Sequence, residues 1–437
     1  MRRLGAPVLP GSRLSTLCCE PIFEERSAGN PHATFCGSRR RATASGDPVA
    51  KDVRPSLISI LLFNKVVMAI KMKMLLVAGA RPNFMKIAPL LGAAQSHNQK
   101  AGNGHRIDCR LVHTGQHYDE QMSGVFFREL GIQPPDINLD VGSGSHAEQT
   151  AKIMLAFEPL CNQEKPDWVV VVGDVNSTMA CTLVAAKLGI KVAHVEAGLR
   201  SFDRAMPEEI NRLVTDSLAD LLLTPSSDAN QNLMREGVPL SKICLVGNIM
   251  IDTLVANLEK ARRSRLPDQL CIAAKSFAYV TLHRPCNVDD ADTLSVIIQE
   301  LNALAHQLPV VFPLHPRTRK MINKYKIHID KCSNMKLLEP IGYHDSLCLT
   351  EMAKVVITDS GGLQEESTYL RTPCLTLREN TERPITVVVG TNRLTRPEKL
   401  SGDIGEILTG RWPHGEIPSY WDGKTSDRVL KAIIEYH

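Results

Sequence analysis

From Met74 onward, short unbroken apolar runs alternate with longer stretches in which apolar residues recur every third or fourth position. The runs predict strands over 74–78, 108–113, 168–172, 191–195, 220–224 and 243–246, and the periodic stretches predict helices over 84–96, 119–130, 147–163 and 176–188. After Val246-Gly247-Asn248 the alternation begins again. Strands are expected near 277–282, 308–313, 336–338, 354–357 and 373–376, with helices near 290–306, 317–324, 344–352 and 363–370. Strands without an apolar–polar alternation belong to sheets covered on both faces, which are parallel sheets with helical crossovers. Two such series predict an α/β protein of two doubly wound, Rossmann-like domains, over 72–248 and 249–415, facing a cleft. The ligand belongs in that cleft, at the carboxyl ends of the strands. A last helix, near 424–436 within 416–437, is read as packing back on the first domain. No internal repeat is visible.

The 437 residues are 43% hydrophobic and 22% charged, which is enough apolar matter for two cores. Charge changes the picture only at the start. Residues 1–71 carry a net +6 and the rest −2, so the body presents no basic face for nucleic acid. The first 71 residues are rich in Arg, Ser and Pro. Their one apolar stretch, Leu57 to Ile70, is short and broken by Asn64 and Lys65, which excludes a membrane span. That region is read as a disordered extension or an early-annotated start, with Met72 or Met74 as the true one. The twelve cysteines include no CxxC pair and no His/Cys metal spacing, so no metal site is expected, and reduced cytoplasmic thiols are.

Two strand–turn–helix junctions have the chemistry of anion sites. After the strand ending at Ala78, the segment Gly79-Ala80-Arg81-Pro82 leads into a helix, with Arg81 and Lys86 placed to hold a diphosphate. It is not GxGxxG, so the dinucleotide fingerprint is absent. After Val355–Ile357, a turn of Ser360, Gly361 and Gly362 opens a helix near Leu363, where free N–H groups and the helix dipole favour phosphate. Glu366, one turn inside, is placed to accept from sugar hydroxyls. Together they suggest a nucleotide sugar. Taken alone, Arg81 and Lys86 read better as two solvated cations at a helix start; the downstream turn tips the reading to function.

Other chemistry sits at strand ends. Asp174 follows the strand ending at Val172, Glu196 ends the strand at Val195, and His283 and Arg284 follow Thr281-Leu282. Glu208 and Arg212, four apart, share one helix face. A strand-end Asp is often a helix cap and an E…R pair often a surface pair of small worth. Glu196, inside a run of small and apolar residues, is harder to explain that way.

The chain from about Met72 to His437 resembles the non-hydrolysing UDP-N-acetylglucosamine 2-epimerases. The motifs that carry the resemblance are GARPNFMKIAPL, HTGQHYDEQMS, GDVNST, HVEAGLRSFDRAMPEEINR, GNIMID, VTLHRP, TDSGGLQEES and TERP, in that order. The resemblance implies a glycosyltransferase-B type fold and a homodimer. It implies interconversion of UDP-GlcNAc and UDP-ManNAc for cell-surface polysaccharide precursors, without metal or nicotinamide. Matched motif by motif, Arg81, Lys86, His283, Ser360, Gly361, Gly362, Glu366 and Arg383 correspond to nucleotide and diphosphate contacts. Asp174, Glu196 and Glu208 correspond to the carboxylates of the chemistry, with Arg212 as their partner and His283 among the catalytic groups. In the implied mechanism UDP leaves anti to the C2 proton and re-adds after the opposite face is protonated.

Three positions depart from the family pattern. Ser346 stands where relatives commonly have an aromatic that contacts uracil, Ile249 replaces a Thr, and the form His113-Thr-Gly-Gln116-His117 suggests that a second, regulatory substrate site is missing. Competing readings are a glycosyltransferase of the same architecture, a nucleotide-sugar-binding regulator without catalysis, and an epimerase of a modified UDP-sugar. The carboxylate trio and TERP disfavour the first two.

Overall fold

The computed structural model describes residues 71–100, 106–115, 131, 133–330 and 334–436. The whole 1–70 region, the expected helix over 119–130, and Gln116 and His117 lie outside the described residues.

The first series forms a seven-stranded parallel sheet in the order β3-β2-β1-β4-β5-β6-β7. Its strands are β1 (Lys71–Ala78), β2 (Arg106–His113), β3 (Ile137–Asn138), β4 (Trp168–Val172), β5 (Lys191–Val195), β6 (Leu221–Thr224) and β7 (Ile243–Leu245). Helices α1 (Arg81–Lys100), α2 (His146–Glu164), α3 (Asn176–Lys187), α4 (Pro207–Leu218) and α5 (Ser227–Arg235) cover it. Every residue of β4, Trp-Val-Val-Val-Val, is buried, because one face packs on the Phe84–Ile87 side and the other on Ile153 and Phe157. Burial on both faces is why the run shows no alternation.

After α6 (Ile249–Ala261) the second series forms a six-stranded parallel sheet, β10-β9-β8-β11-β12-β13. Its strands are β8 (Ala278–Thr281), β9 (Val310–Pro313), β10 (Met335–Leu338), β11 (Val355–Thr358), β12 (Cys374–Leu377) and β13 (Asn392–Thr395). Its main helices are α7 (Ala291–Ala305), α8 (Pro316–Tyr325), α9 (Tyr343–Met352), α10 (Gly361–Tyr369) and α11 (Leu400–Leu408). In both sheets the chain reverses direction of winding between the first and fourth strands of the series, β1|β4 and β8|β11. Crevices open at such switch points.

Two strands escaped the pattern reading. β3 has only two residues, and β13, Asn-Arg-Leu-Thr, reads as polar because it is an edge strand. α6 escaped because Ile249, Met250, Ile251, Leu254 and Ala261 are all buried, which erases the one-sided period. α6 lies between the two series: Leu254 and Ala261 pack with Tyr343, Leu347 and Cys348 of α9, against Met85 of α1.

α12 (Thr425–Ile434) places Val429, Leu430 and Ile433 in the core of the first sheet, beside Ile249. Asp252 of α6 fastens its start, accepting from the backbone N–H of Thr425 (2.9 Å) and of Ser426 (2.7 Å). Both donors are otherwise orphaned at a helix N-terminus. Tyr436 then meets the edge of Trp168 with ring centroids 5.1 Å apart.

Candidate active site

A cleft of 670 Å³ runs between the two switch points, lined from one side by Lys86, Asp174, Glu208 and Arg212 and from the other by His283, Ser360, Glu366 and Arg383. The candidates at eight separate points of the chain therefore meet in one place. Glu196 lies just beneath the lining.

On the first sheet's side, the turn after β4 carries the arrangement. Gly173 has φ +68°, and a Cβ there would lie 2.9 Å from Lys86 Nζ and 3.4 Å from Glu196 Oε2. The left-handed backbone favours glycine here, and a Cβ would also push the end of the Lys86 side chain away from Glu196. Glu196 itself has φ +72°, a costly conformation for a residue with a Cβ, held by its N–H bond to Leu223 O (3.0 Å). Strain of this kind persists where surroundings over-determine it, commonly at functional sites. Glu196 is 4% exposed and its Oε2 is paired with Lys86, while its Oε1 has no hydrogen-bond partner among the described residues.

Asp174 is paired with Arg212, and Arg212 also bonds Glu209 Oε2 (2.8 Å). Arg212's partner on its own helix is Glu209, three residues back, which is buried and also accepts from Ser201 N (2.9 Å) and Phe202 N (3.1 Å). Glu208 is exposed at the cleft rim. Behind the turn, His194 is fully buried and bridges Asp216 Oδ1 (2.6 Å) and Gly173 O (2.8 Å), while Arg200 meets Asp216 Oδ2 (2.7 Å). His194 and Arg200 stand in the quoted motifs, but nothing in the spacing sets them apart from their neighbours.

On the second sheet's side, α10 begins at Gly361, with Ser360 as the N-cap residue. The expected tight glycine turn before Leu363 is therefore not formed. Both glycines are already helical, and their missing side chains leave the helix N-terminus open to the cleft. At Gly361 a Cβ would lie 2.8 Å from Arg383 Nη1. His283 Nδ1 stands 2.9 Å from Asp359 Oδ1. Burial opposes the Asp359 charge, but bonds from His283 and from the N–H groups of His283 and Arg284 outweigh it and hold its pKa below the ordinary value.

Arg383 is the hub of this side. It pairs with Glu365 (2.8 Å) and Glu382 (2.6 Å), and its field reaches Glu196 and Asp174 across the cleft. Burial disfavours its charge, yet these carboxylates keep its pKa above the ordinary value. Glu366 is 5% exposed. Burial first, then the neighbouring Glu365, pushes its pKa up to about 8, while Tyr343, which also bonds it, works the other way. Burial also raises Glu365, whose Oε1 accepts from Asn248 (2.9 Å). Glu365 went unassigned by the motif reading, since two adjacent carboxylates on a helix normally point to different surroundings. Here α10 is wrapped on both sides. The side chain of Arg81, the first residue of α1, lies outside the described residues.

Two facing parallel-sheet domains with a cleft across their switch points are the glycosyltransferase-B type of fold. The family model described as UDP-N-acetylglucosamine 2-epimerase matches residues 99–434. The UDP-N-acetylglucosamine 2-epimerase of Methanocaldococcus jannaschii is 41% identical over 371 residues, covering 83% of this chain and 99% of that protein. Its crystal structure with UDP-GlcNAc and UDP aligns at a TM-score of 0.74, covering 83% of this chain and 99% of that one. The UDP-2,3-diacetamido-2,3-dideoxy-D-glucuronate 2-epimerase of Pseudomonas aeruginosa is 40% identical over 83% of this chain and 100% of its own length. The chain belongs to the UDP-N-acetylglucosamine 2-epimerase family. Among the described residues no helix is long and apolar enough to cross a membrane.

Proposed function

We propose that the protein interconverts UDP-N-acetylglucosamine and UDP-N-acetylmannosamine by eliminating UDP and adding it back. One observation carries this reading. Asp174 and Glu208, with Glu196 behind Lys86 beneath them, belong to the first sheet's side and stand across 670 Å³ from the open N-terminus of α10 and Arg383 on the other. The C2 proton is a weak acid, so its removal has to accompany departure of a good leaving group. A carboxylate takes that proton as the C1–O bond breaks, and UDP leaves with the bonding electrons, giving a 2-acetamidoglucal. Arg383, Lys86, His283 and the α10 N–H groups take up the charge that develops on the diphosphate. A carboxyl on the opposite face then gives a proton to C2 while the UDP oxygen returns to C1, which inverts C2. Glu366 holds the ribose hydroxyls and Arg212 keeps Asp174 in place. The same site without catalysis, or a glycosyl transfer, would have no use for three carboxylates at the sugar end.

The test is proton NMR of turnover in deuterium oxide. The expected result is UDP-ManNAc from UDP-GlcNAc with one deuterium at C2. Product without C2 deuterium overturns the mechanism. Because the Pseudomonas relative's name specifies a diacetamido uronate, the same experiment with that sugar nucleotide decides between the two substrates.

Two coarser expectations take finer form here. The cytoplasm is the place of action, supported by the eight described cysteines, all free. The working unit is a homodimer, supported by an apolar surface on α2, α3 and α4 that includes Met154, Met179 and Ile210. Ile210→Asp is expected to yield a monomer in light scattering; an unchanged mass would place the interface elsewhere.

A further inference from the structure

Beneath the first wall of the cleft lies a charged cluster that the proton transfers do not use. His194 of β5, Arg200 just after it and Asp216 of α4 are all buried. Arg200 reaches on to Glu236, at the C-cap of α5, with two bonds of 2.7 Å from Nε and Nη2. The bonds of His194 fix its protonation. Nε2 stands 2.8 Å from Gly173 O and Nδ1 2.6 Å from Asp216 Oδ1. A carbonyl oxygen only accepts, so Nε2 carries a proton. The other oxygen of Asp216 meets Arg200 (2.7 Å) and accepts from Gly198 N–H (3.0 Å). A guanidinium keeps its charge, and a buried one needs a counter-charge, so Asp216 is ionised and its Oδ1 also only accepts. Nδ1 therefore carries a second proton. With an imidazolium at His194, the four groups His194, Asp216, Arg200 and Glu236 carry no net charge; with a neutral ring they would hold one negative charge in excess.

What the cluster fastens is the frame of the carboxylates. Gly173 precedes Asp174, and its own N–H is on Val195 O (3.1 Å), so the His194 bond completes the hold of β5 on that left-handed turn. Glu196 follows His194 by two residues on the same segment. Glu208, Arg212 and Asp216 recur every fourth residue along α4 and share one side of it. Arg212 pairs with Asp174, and Asp216 with His194. One imidazole ring thus joins the three segments that carry Asp174, Glu196 and Glu208.

We propose that His194 is a positioning residue, a buried imidazolium that donates from both ring nitrogens and so holds the three carboxylate-bearing segments in register for proton transfer. The proposal rests on the epimerase reading of the site. A neutral ring has one N–H and would leave either Gly173 O or Asp216 Oδ1 facing a lone pair. The turn or α4 would then be released, and the carboxylates would shift relative to one another. Arg383, His283 and the α10 N-terminus, which meet the diphosphate, are on the other sheet. Loss of the imidazolium is therefore felt in turnover far more than in nucleotide affinity.

Full-length protein with nitrogen-labelled histidine rings tests this. At about pH 8, above the ordinary histidine pKa of about 6.5, long-range proton–nitrogen NMR is expected to show a ring with both nitrogens protonated, and His194→Gln is expected to remove it. Asp216→Asn is expected to leave that ring with one proton. Both variants are expected to lower kcat by about tenfold to a hundredfold, the scale of a catalytic group misplaced by up to about an ångström, with the Kd for UDP little changed. A wild-type spectrum with no doubly protonated ring overturns the proposal and needs no variant. So does a doubly protonated ring that survives in His194→Gln, or wild-type turnover in both variants, or a loss of UDP affinity as large as the loss of turnover. Absence of UDP-GlcNAc turnover by the wild type, with the doubly protonated ring present, would instead overturn the reading of the reaction on which the proposal rests.

Discussion

The two walls of the cleft handle charge differently. On the first sheet's wall the carboxylates are met by cations: Lys86 pairs with Glu196, and Arg212 with Asp174 and Glu209. On the second wall Glu365 and Glu366 are raised by burial, while Glu382 and Asp359, in spite of burial, are held below the ordinary value by Arg383, Arg378 and His283. The difference teaches how a cleft rich in carboxylates can still admit a diphosphate: burial opposes the charge of Glu365 and Glu366, and Arg383 and the α10 N-terminus line the cleft where the ligand's anion enters.

Breaking the first wall should have the largest effect on turnover and little on nucleotide affinity. Asp174→Asn and Glu196→Gln are each expected to lower kcat by roughly 10²–10⁴-fold, the usual contribution of a positioned acid or base, with the Kd for UDP nearly unchanged. Steady-state kinetics and calorimetry on the same preparations check this. Near-wild-type turnover in both variants would remove the chemistry from this wall.

Breaking the second wall should do the reverse. Arg383→Ala is expected to weaken UDP by about tenfold to a hundredfold, as for loss of a charge-assisted bond. If UDP binds it normally, the diphosphate lies elsewhere.

A smaller effect should follow at the turn that joins Lys86 to Glu196. Gly173→Ala puts a Cβ into a left-handed residue and against Lys86 Nζ, so a stability loss of about 1–3 kcal/mol is expected in urea unfolding. An unaltered midpoint would mean that the turn relaxes freely.

The smallest effect is a slope. Folded Glu366 titrates near 8, against an ordinary 4.5. Between those values the folded state keeps a proton that the unfolded state has released, so stability falls as pH rises from about 5 to 8. Asp359 and Glu382 are held below the ordinary carboxylate range and titrate under this window. Glu366→Gln is expected to flatten the decline in Tm across it. Parallel slopes for variant and wild type would show that Glu366 is ionised throughout.

The strands with uninterrupted apolar runs, β1, β4, β8, β11 and β12, were legible because burial on both faces leaves a one-dimensional signature. So were the strand-end motifs, because a parallel sheet delivers the residue after each strand to the same edge. Edge strand β13 and helix α6 lacked such signatures, the first because it is polar and the second because its residues from Ile249 to Leu254 are buried on every side.

What the sequence determined by itself is therefore the family, the two series of elements and ten of the residues that line the cleft. Pairing was decided only by the tertiary structure. Arg212 lies on one helix with Glu208 and Glu209, and helix periodicity allows either partner; the packing of α4 against the turn after β4 buries Glu209 with it and leaves Glu208 exposed. Adjacent Glu365 and Glu366 are alike in the chain, yet one meets Arg383 and Asn248 while the other meets Tyr343. The physical reason is common to both cases. Local sequence sets which way a side chain leaves its own element, but the charge or hydroxyl that it meets is brought there by another element, far along the chain.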